Sequence, residues 1–188
     1  MFDFGIAGYR PAWLSGRLAV AAAHGRRLAM LEGRKLTHAL LVWDLDEDAW
    51  FSDGVVLLDF DGEQVEIVHQ KFDEISITWN TVDPGQPLDW AGEAFRLAWR
   101  EGVLDELAQF KGQRLRAVEL LEWTDENDIA HGTVAVGFVF PHGRMTIYNA
   151  LDENGMEFGL PDRRWARHRL DLPPGGSTEP AVGPSRPE

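Results

Sequence analysis

The residues of this chain best placed to do chemistry are carboxylates and indoles at two matching corners. Asp44, Asp46 and Asp48 follow Trp43, and Asp125 and Asp128 follow Trp123. The Asp44-x-Asp46-x-Asp48 spacing is that of the first half of a calcium-binding loop. Such a loop needs glycine at its sixth position and glutamate at its twelfth, where this chain has Ala49 and Val55. What remains is an acidic turn beside an apolar anchor, the composition of a charged protein interface with a hot spot. A second set is His69, Asn149 and Trp79. His69 continues the apolar alternation of Val65 and Ile67, and Asn149 that of Met145 and Ile147. The two polar residues line a pocket, or they are buried groups satisfied by neighbours. The histidines (His24, His38, His69, His131, His142 and His168) form no helical i, i+4 pair and no H-E-x-x-H. Neither a P-loop, a G-x-G-x-x-G nor a G-x-S-x-G occurs. No metal site and no cofactor are expected, and the patterns assign no catalytic residue.

Val55-Val56-Leu57-Leu58-Asp59-Phe60-Asp61-Gly62 resembles the first motif of haloacid-dehalogenase-type phosphatases, an apolar strand ending in Asp-x-Asp-Gly. The resemblance implies a parallel sheet, with Asp59 as nucleophile and Asp61 as general acid. Glu63-Gln64 stands where that family has Thr-Leu, no paired Asp-Asp follows, and strand alternation resumes at Val65. A hairpin turn with a solvated aspartate is the competing reading. A basic segment runs from Arg163 to Arg169 around Trp165. It either binds an anion or folds back on the protein's own carboxylates.

The elements that position these residues read as a duplication offset by about 80 residues. Gly33-Arg34-Lys35-Leu36 opens one copy and Gly112-Gln113-Arg114-Leu115 the other. Val56, Leu58, Phe60, Val65 and Ile67 then answer Val136, Phe138, Phe140, Met145 and Ile147. Apolar spacing predicts a helix over 11–32, ended by Gly33, and a second from Asp89 or Gly92 carrying Phe95, Trp99, Val103, Leu104 and Leu107. Strands are predicted over 36–43, 55–60, 65–69 and 75–79, and again over 115–123, 134–140, 145–151 and 156–160. Glu74, Ser76, Thr78 and Asn80 alternate with apolar residues, so one face of the first sheet should meet water. The expected fold is α+β: a helix plus a four-stranded antiparallel meander, twice, as two packed or joined sheets with pseudo-twofold symmetry. One domain over 1–171 would hold two halves, 11–82 and 88–160. The Pro/Gly-rich 172–188 reads as a disordered tail.

At 188 residues the chain can bury a core without a disulfide, and it has no cysteine. The N-terminus carries no signal-peptide pattern and no apolar run reaches a membrane span, so a cytoplasmic protein is expected. Asp plus Glu number 31 against 18 Lys plus Arg, a net charge of −13. Such a surface repels nucleic acid and anionic membranes and attracts basic partners. Phe110-Lys111-Gly112-x-x-Leu115, the 134–140 run, and Asn149-Ala150-Leu151-Asp152-Glu153-Asn154 resemble small bacterial immunity-type proteins of toxin–immunity systems. That resemblance covers the last third of the chain and implies an acidic, non-catalytic, partner-binding protein. It carries over no binding residue. Two readings follow: a protein that binds a basic partner through Asp44, Asp46, Asp48, Asp125, Asp128, Trp43 and Trp123, or a ligand-binding or hydrolytic enzyme with a pocket between the halves near His69 and Asn149. Oligomeric state stays open.

Overall fold

Gly33 and Gly112 both take left-handed backbone (φ 85° and 83°), a conformation that costs glycine nothing. Each lets its G-x-x-L segment turn and pair with the other. Gly33 N–H donates to Leu115 O at 2.8 Å and Gly112 N–H to Leu36 O at 2.7 Å. Leu36 N–H donates to Gln113 O at 3.0 Å and Leu115 N–H to Arg34 O at 2.8 Å. Exchanging 33–36 with 112–115 maps each bond onto another, so a local twofold relates the two segments.

A computed structural model of the chain describes residues 4–90 and 95–172. From each G-x-x-L segment an antiparallel meander continues. The first is β2 (Leu36–Asp44), β4 (Val56–Phe60), β5 (Glu63–Gln70) and β6 (Glu74–Trp79). The second is β8 (Ala117–Trp123), β9 (Val134–Phe140), β10 (Gly143–Asn149) and β11 (Asn154–Phe158). The first sheet has seven strands in the order β1-β6-β5-β4-β2-β3, with β1 (Trp13–Ser15) and β3 (Ala49–Trp50) at its ends and β7 (Leu97–Glu101) on β2. The second has five, ordered β11-β10-β9-β8-β12, with β12 (Trp165–Arg169) on its edge. The alternating apolar residues of both inner faces meet in one core, where Phe60 stacks on Phe138 (ring centroids 5.6 Å) and Phe110 on Phe140 (4.8 Å). The helix α1 (Arg17–Ala29) closes that core with Val20 and Leu28.

The α+β expectation of one helix per half is overturned: the protein is mostly β, and the two helices among the described residues are short. The first predicted helix loses its start, because Gly16 (φ 79°) breaks the chain and Trp13–Ser15 pairs with β6 instead. The second yields only the four-residue α2 (Asp105–Ala108). Trp99, placed on a helix by its spacing, lies on β7 opposite Val42 of β2. β4 and β3 pair along one edge of β2; the other edge, over Leu40–Asp44, offers free backbone groups that β7 satisfies. That tertiary pairing outweighs a weak helical period interrupted at Gly102 (φ 69°). The alternative start at Gly92 and the tail over 173–188 lie outside the described residues.

The expectation that one face of the first sheet meets water also fails. Phe4, Ile6, Tyr9, Val82 and Trp90 cover that face, packing on Val55, Leu57 and Val68. Ser76 is buried and accepts the Ala12 N–H at 2.9 Å. Glu66 is buried there too; its carboxylate accepts the backbone N–H groups of Thr81 (2.6 Å) and Val82 (2.9 Å) and the hydroxyls of Thr78 and Thr81. Burial alone would raise its pKa, but these donors outweigh burial and hold it below the usual range.

Candidate functional site

The seam between the halves is built around Asn154, at the start of β11. Its side-chain amide donates to Ser52 O (3.0 Å) and Gly54 O (2.6 Å), which turns its oxygen toward β5. That oxygen accepts the His69 backbone N–H at 3.0 Å and faces His69 Nδ1 at 2.9 Å. His69 therefore carries its proton on Nδ1, a tautomer assigned from this network. Nε2 faces the Val134 carbonyl at 3.3 Å, so both ring nitrogens look at acceptors. Desolvation decides the charge: burial pushes the His69 pKa down to about 4, against the smaller upward pull of Asn154 and Val134. Asn149 is also a bridge, donating to the carbonyls of Gln70 and Lys71 while its oxygen caps Asp152 N–H at 2.9 Å. Both ring nitrogens of His69 and the amide nitrogen of Asn149 are thus spent on joining the halves, and Asn149 also lines a cleft on the second sheet. The crevice at His69 holds about 170 Å³ and is shared with Asp53, Lys71 and Asp152, not with Asn149. Trp79 sits at the other end of the β5–β6 pair, its N–H 3.3 Å from His24 Nδ1 and its face under Arg27.

The two acidic corners differ. At the first, Asp44 Oδ1 accepts the N–H groups of Asp46 (2.8 Å) and Glu47 (3.2 Å), and the Trp43 N–H donates to Asp48 at 3.0 Å. Arg96 pairs with Asp46 at 2.7 Å, and Arg100 from β7 lies 3.7 Å from Asp48. Asp46 and Asp48 thus each have their own guanidinium. At the second corner, one guanidinium serves three carboxylates: Arg164 lies 3.1 Å from Asp162, 3.7 Å from Asp125 and 4.0 Å from Asp128. The same group sits 4.3 Å over the Trp123 ring, whose buried N–H makes no hydrogen bond among the described residues.

Around Trp123 the outer face of the second sheet opens into a cleft of about 450 Å³. Its walls are Trp123 and Trp165, at 4.9 Å and 71°, and Tyr148, whose ring is 6.4 Å from Trp165 at 62°. Strand geometry puts them there. Tyr148 is out of phase with the core residues Met145 and Ile147, and Trp165 pairs with Trp123 across β12 and β8. Tyr148 lies flat on Gly155, its register partner; a Cβ at 155 would come 2.7 Å from Tyr148 Cε2. Glu157 and Asp162 complete the rim with Leu151. Leu151 and Asp152 are the central pair of the Ala150–Glu153 turn with φ 63° and 80°, a left-handed pair usually left to Asn-Gly. Burial and the Glu157 charge raise the Tyr148 pKa.

The basic segment is the edge strand β12 and the turn before it. Arg167 pairs with Glu119 at 2.7 Å, Arg144 joins the same carboxylate at 2.5 Å, and Arg169 reaches Glu32 at 3.2 Å. Burial raises the Glu119 pKa less than the two guanidinium groups lower it. Asp59 and Asp61 lie in an antiparallel hairpin, not a parallel sheet. Asp59 Oδ1 accepts Gly62 N–H (2.8 Å) and the Thr37 hydroxyl; Asp61 accepts Lys35 N–H (2.8 Å). Among the described residues no group of three or more His, Asp or Glu is placed to hold a metal ion, and no helix is long and apolar enough to cross a membrane.

Sequence reasoning named Trp123, Asp125, Asp128 and Asn149 but missed Tyr148, Glu157 and the guanidinium partners of the corners. The strand period that set Met145 and Ile147 inward was the available signal for Tyr148. Compared with known proteins, the chain matches no protein-family model, no curated protein and no solved structure.

Proposed function

We propose that this is a non-catalytic binding protein whose outer second sheet docks a basic protein partner. The observation that carries the reading is the unequal cover of the two sheets. The chain's own Phe4–Tyr9 stretch and Trp90 seal the outer face of the first sheet. The outer face of the second keeps an open cleft walled by Trp123, Tyr148 and Trp165. Aromatic rings with carboxylates at their edge make the centre and rim of a charged interface. The chain's net charge of −13 supports a basic partner by steering its approach. The likeness of the last third to immunity-type proteins supplies the class of partner: a toxin domain that this chain would neutralise in the cytoplasm.

The test is association kinetics with a basic protein encoded beside this chain. The on-rate should fall about tenfold or more from low to physiological salt, while the off-rate changes little. Replacing Asp125 and Asp128 together by Asn should slow association and shift stability by no more than about 1 kcal/mol, since both are partly exposed pairs. An on-rate indifferent to salt and to both substitutions would refute the reading.

A further inference from the structure

The second-sheet cleft has one feature that pairing within the chain does not explain. Glu157 is half-buried on its rim and carries no ion pair among the described residues. Its neighbour on the rim, Asp162, is held by Arg164 through Nε and a terminal nitrogen, both at 3.1 Å. Glu119, on the same face, has two guanidinium partners. A carboxylate on an aromatic rim is placed to pair with a cation that a partner brings.

We propose that the cleft walled by Trp123, Tyr148 and Trp165 receives an arginine side chain of the basic partner, its guanidinium on the ring faces and paired with Glu157. This rests on the partner-binding reading and names the group that anchors it. The rings meet at 71° and 62°, edge-to-face contacts that spend one ring face per pair rather than closing the rings face to face, and all three rings line the cleft. Arg164, 4.3 Å over Trp123, is an internal example of the same pairing. A guanidinium is planar and weakly hydrated, so it stacks on indole and phenol at less desolvation cost than an ammonium. The cleft of about 450 Å³ is within the range that holds a whole side chain. Leu151, 66% exposed and held in left-handed backbone on the rim, gives the methylene stem an apolar contact. Strain of that kind is kept where a site needs a shape.

The experiment titrates the full chain with a capped hexapeptide holding one arginine, and with matched peptides holding citrulline or lysine there. Tryptophan fluorescence and amide chemical shifts are followed. The arginine peptide should shift Tyr148 and Trp165 and bind at least tenfold tighter than the citrulline peptide, which keeps the shape without the charge. Glu157→Gln, a rim change that leaves the rings in place, should remove about threefold to tenfold of that preference. Gly155→Ala, which lifts Tyr148, should weaken the arginine peptide while melting confirms the fold. Equal binding of arginine and citrulline, or of arginine and lysine, overturns the assignment, as does indifference to Glu157→Gln. The peptide assay needs no protein partner. A cleft that binds arginine in a chain without a basic partner would sink the functional reading alone. A salt-sensitive partner indifferent to Glu157→Gln would sink this inference alone.

Discussion

Acidification should destabilise this protein through His69 before the carboxylates of ordinary or lowered pKa take up protons. The unfolded chain takes up the imidazole proton near 6.5, whereas the folded ring, buried against Asn154 and the Val134 carbonyl, resists it down to about 4. Between those values the unfolded state binds the extra proton, so stability is whole above pH 6.5 and is lost as pH falls toward 4. Each pH unit in that window is worth about 1.36 kcal/mol per proton, so the full loss is about 3 kcal/mol. At this chain length that lowers the melting temperature by roughly 6–12 °C. Other groups titrate nearby. His24, half-buried, is also lowered and acts in the same direction. Asp53 in the seam crevice is raised by burial and by Glu153 and Asp152, and acts in the opposite direction. Glu66 and Glu119 are lowered, so their contributions persist until pH falls below the ordinary carboxylate value. The assay is therefore a comparison: urea unfolding of the wild type and of His69→Gln at half-unit steps from pH 7 to 4.5. The variant keeps an amide donor for Asn154 and should show a slope flatter by up to about 1.36 kcal/mol per pH unit. Parallel curves would refute the argument that His69 is buried neutral.

Two further changes test the polar groups that hold the sheets. Asn154→Ala should cost about 3 kcal/mol or more by urea unfolding, because it strands the His69 N–H and removes the side-chain donor of Gly54 O, while Ser52 O keeps the backbone N–H of residue 154. A cost below about 1 kcal/mol would mean that the seam does not depend on it. Arg144→Ala leaves Glu119 buried with only Arg167 and should cost about 1.5–3 kcal/mol, whereas replacing Arg144, Glu119 and Arg167 together by apolar residues should recover most of that loss. Equal destabilisation of the single and triple variants would contradict that account.

Local pattern alone determined the strands and hairpin turns of the two meanders, but not the added strands β1, β3, β7 and β12. Val65, Ile67 and His69 alternate inward, Asp61-Gly62 turns a hairpin, and the two G-x-x-L segments carry the glycines that their pairing requires. These are legible because a period of two, or a left-handed turn, is set within a few residues. The acidic corners were legible as composition, but not as charge, since Arg96, Arg100 and Arg164 reach them from other strands. Tertiary structure decided what became of Leu97–Glu101, whose helical spacing gave way to the free edge of β2. It also decided the roles of His69 and Asn149, which read as pocket lining until Asn154 and the Gln70 and Lys71 carbonyls met them across the seam. The aromatic cleft belongs to the same class. Trp123, Tyr148 and Trp165 come from three strands, and only sheet pairing and a bare Gly155 bring their rings to one place. A hydrogen bond or ring contact between distant segments depends on the register of every strand between them, and no local window of sequence contains that information.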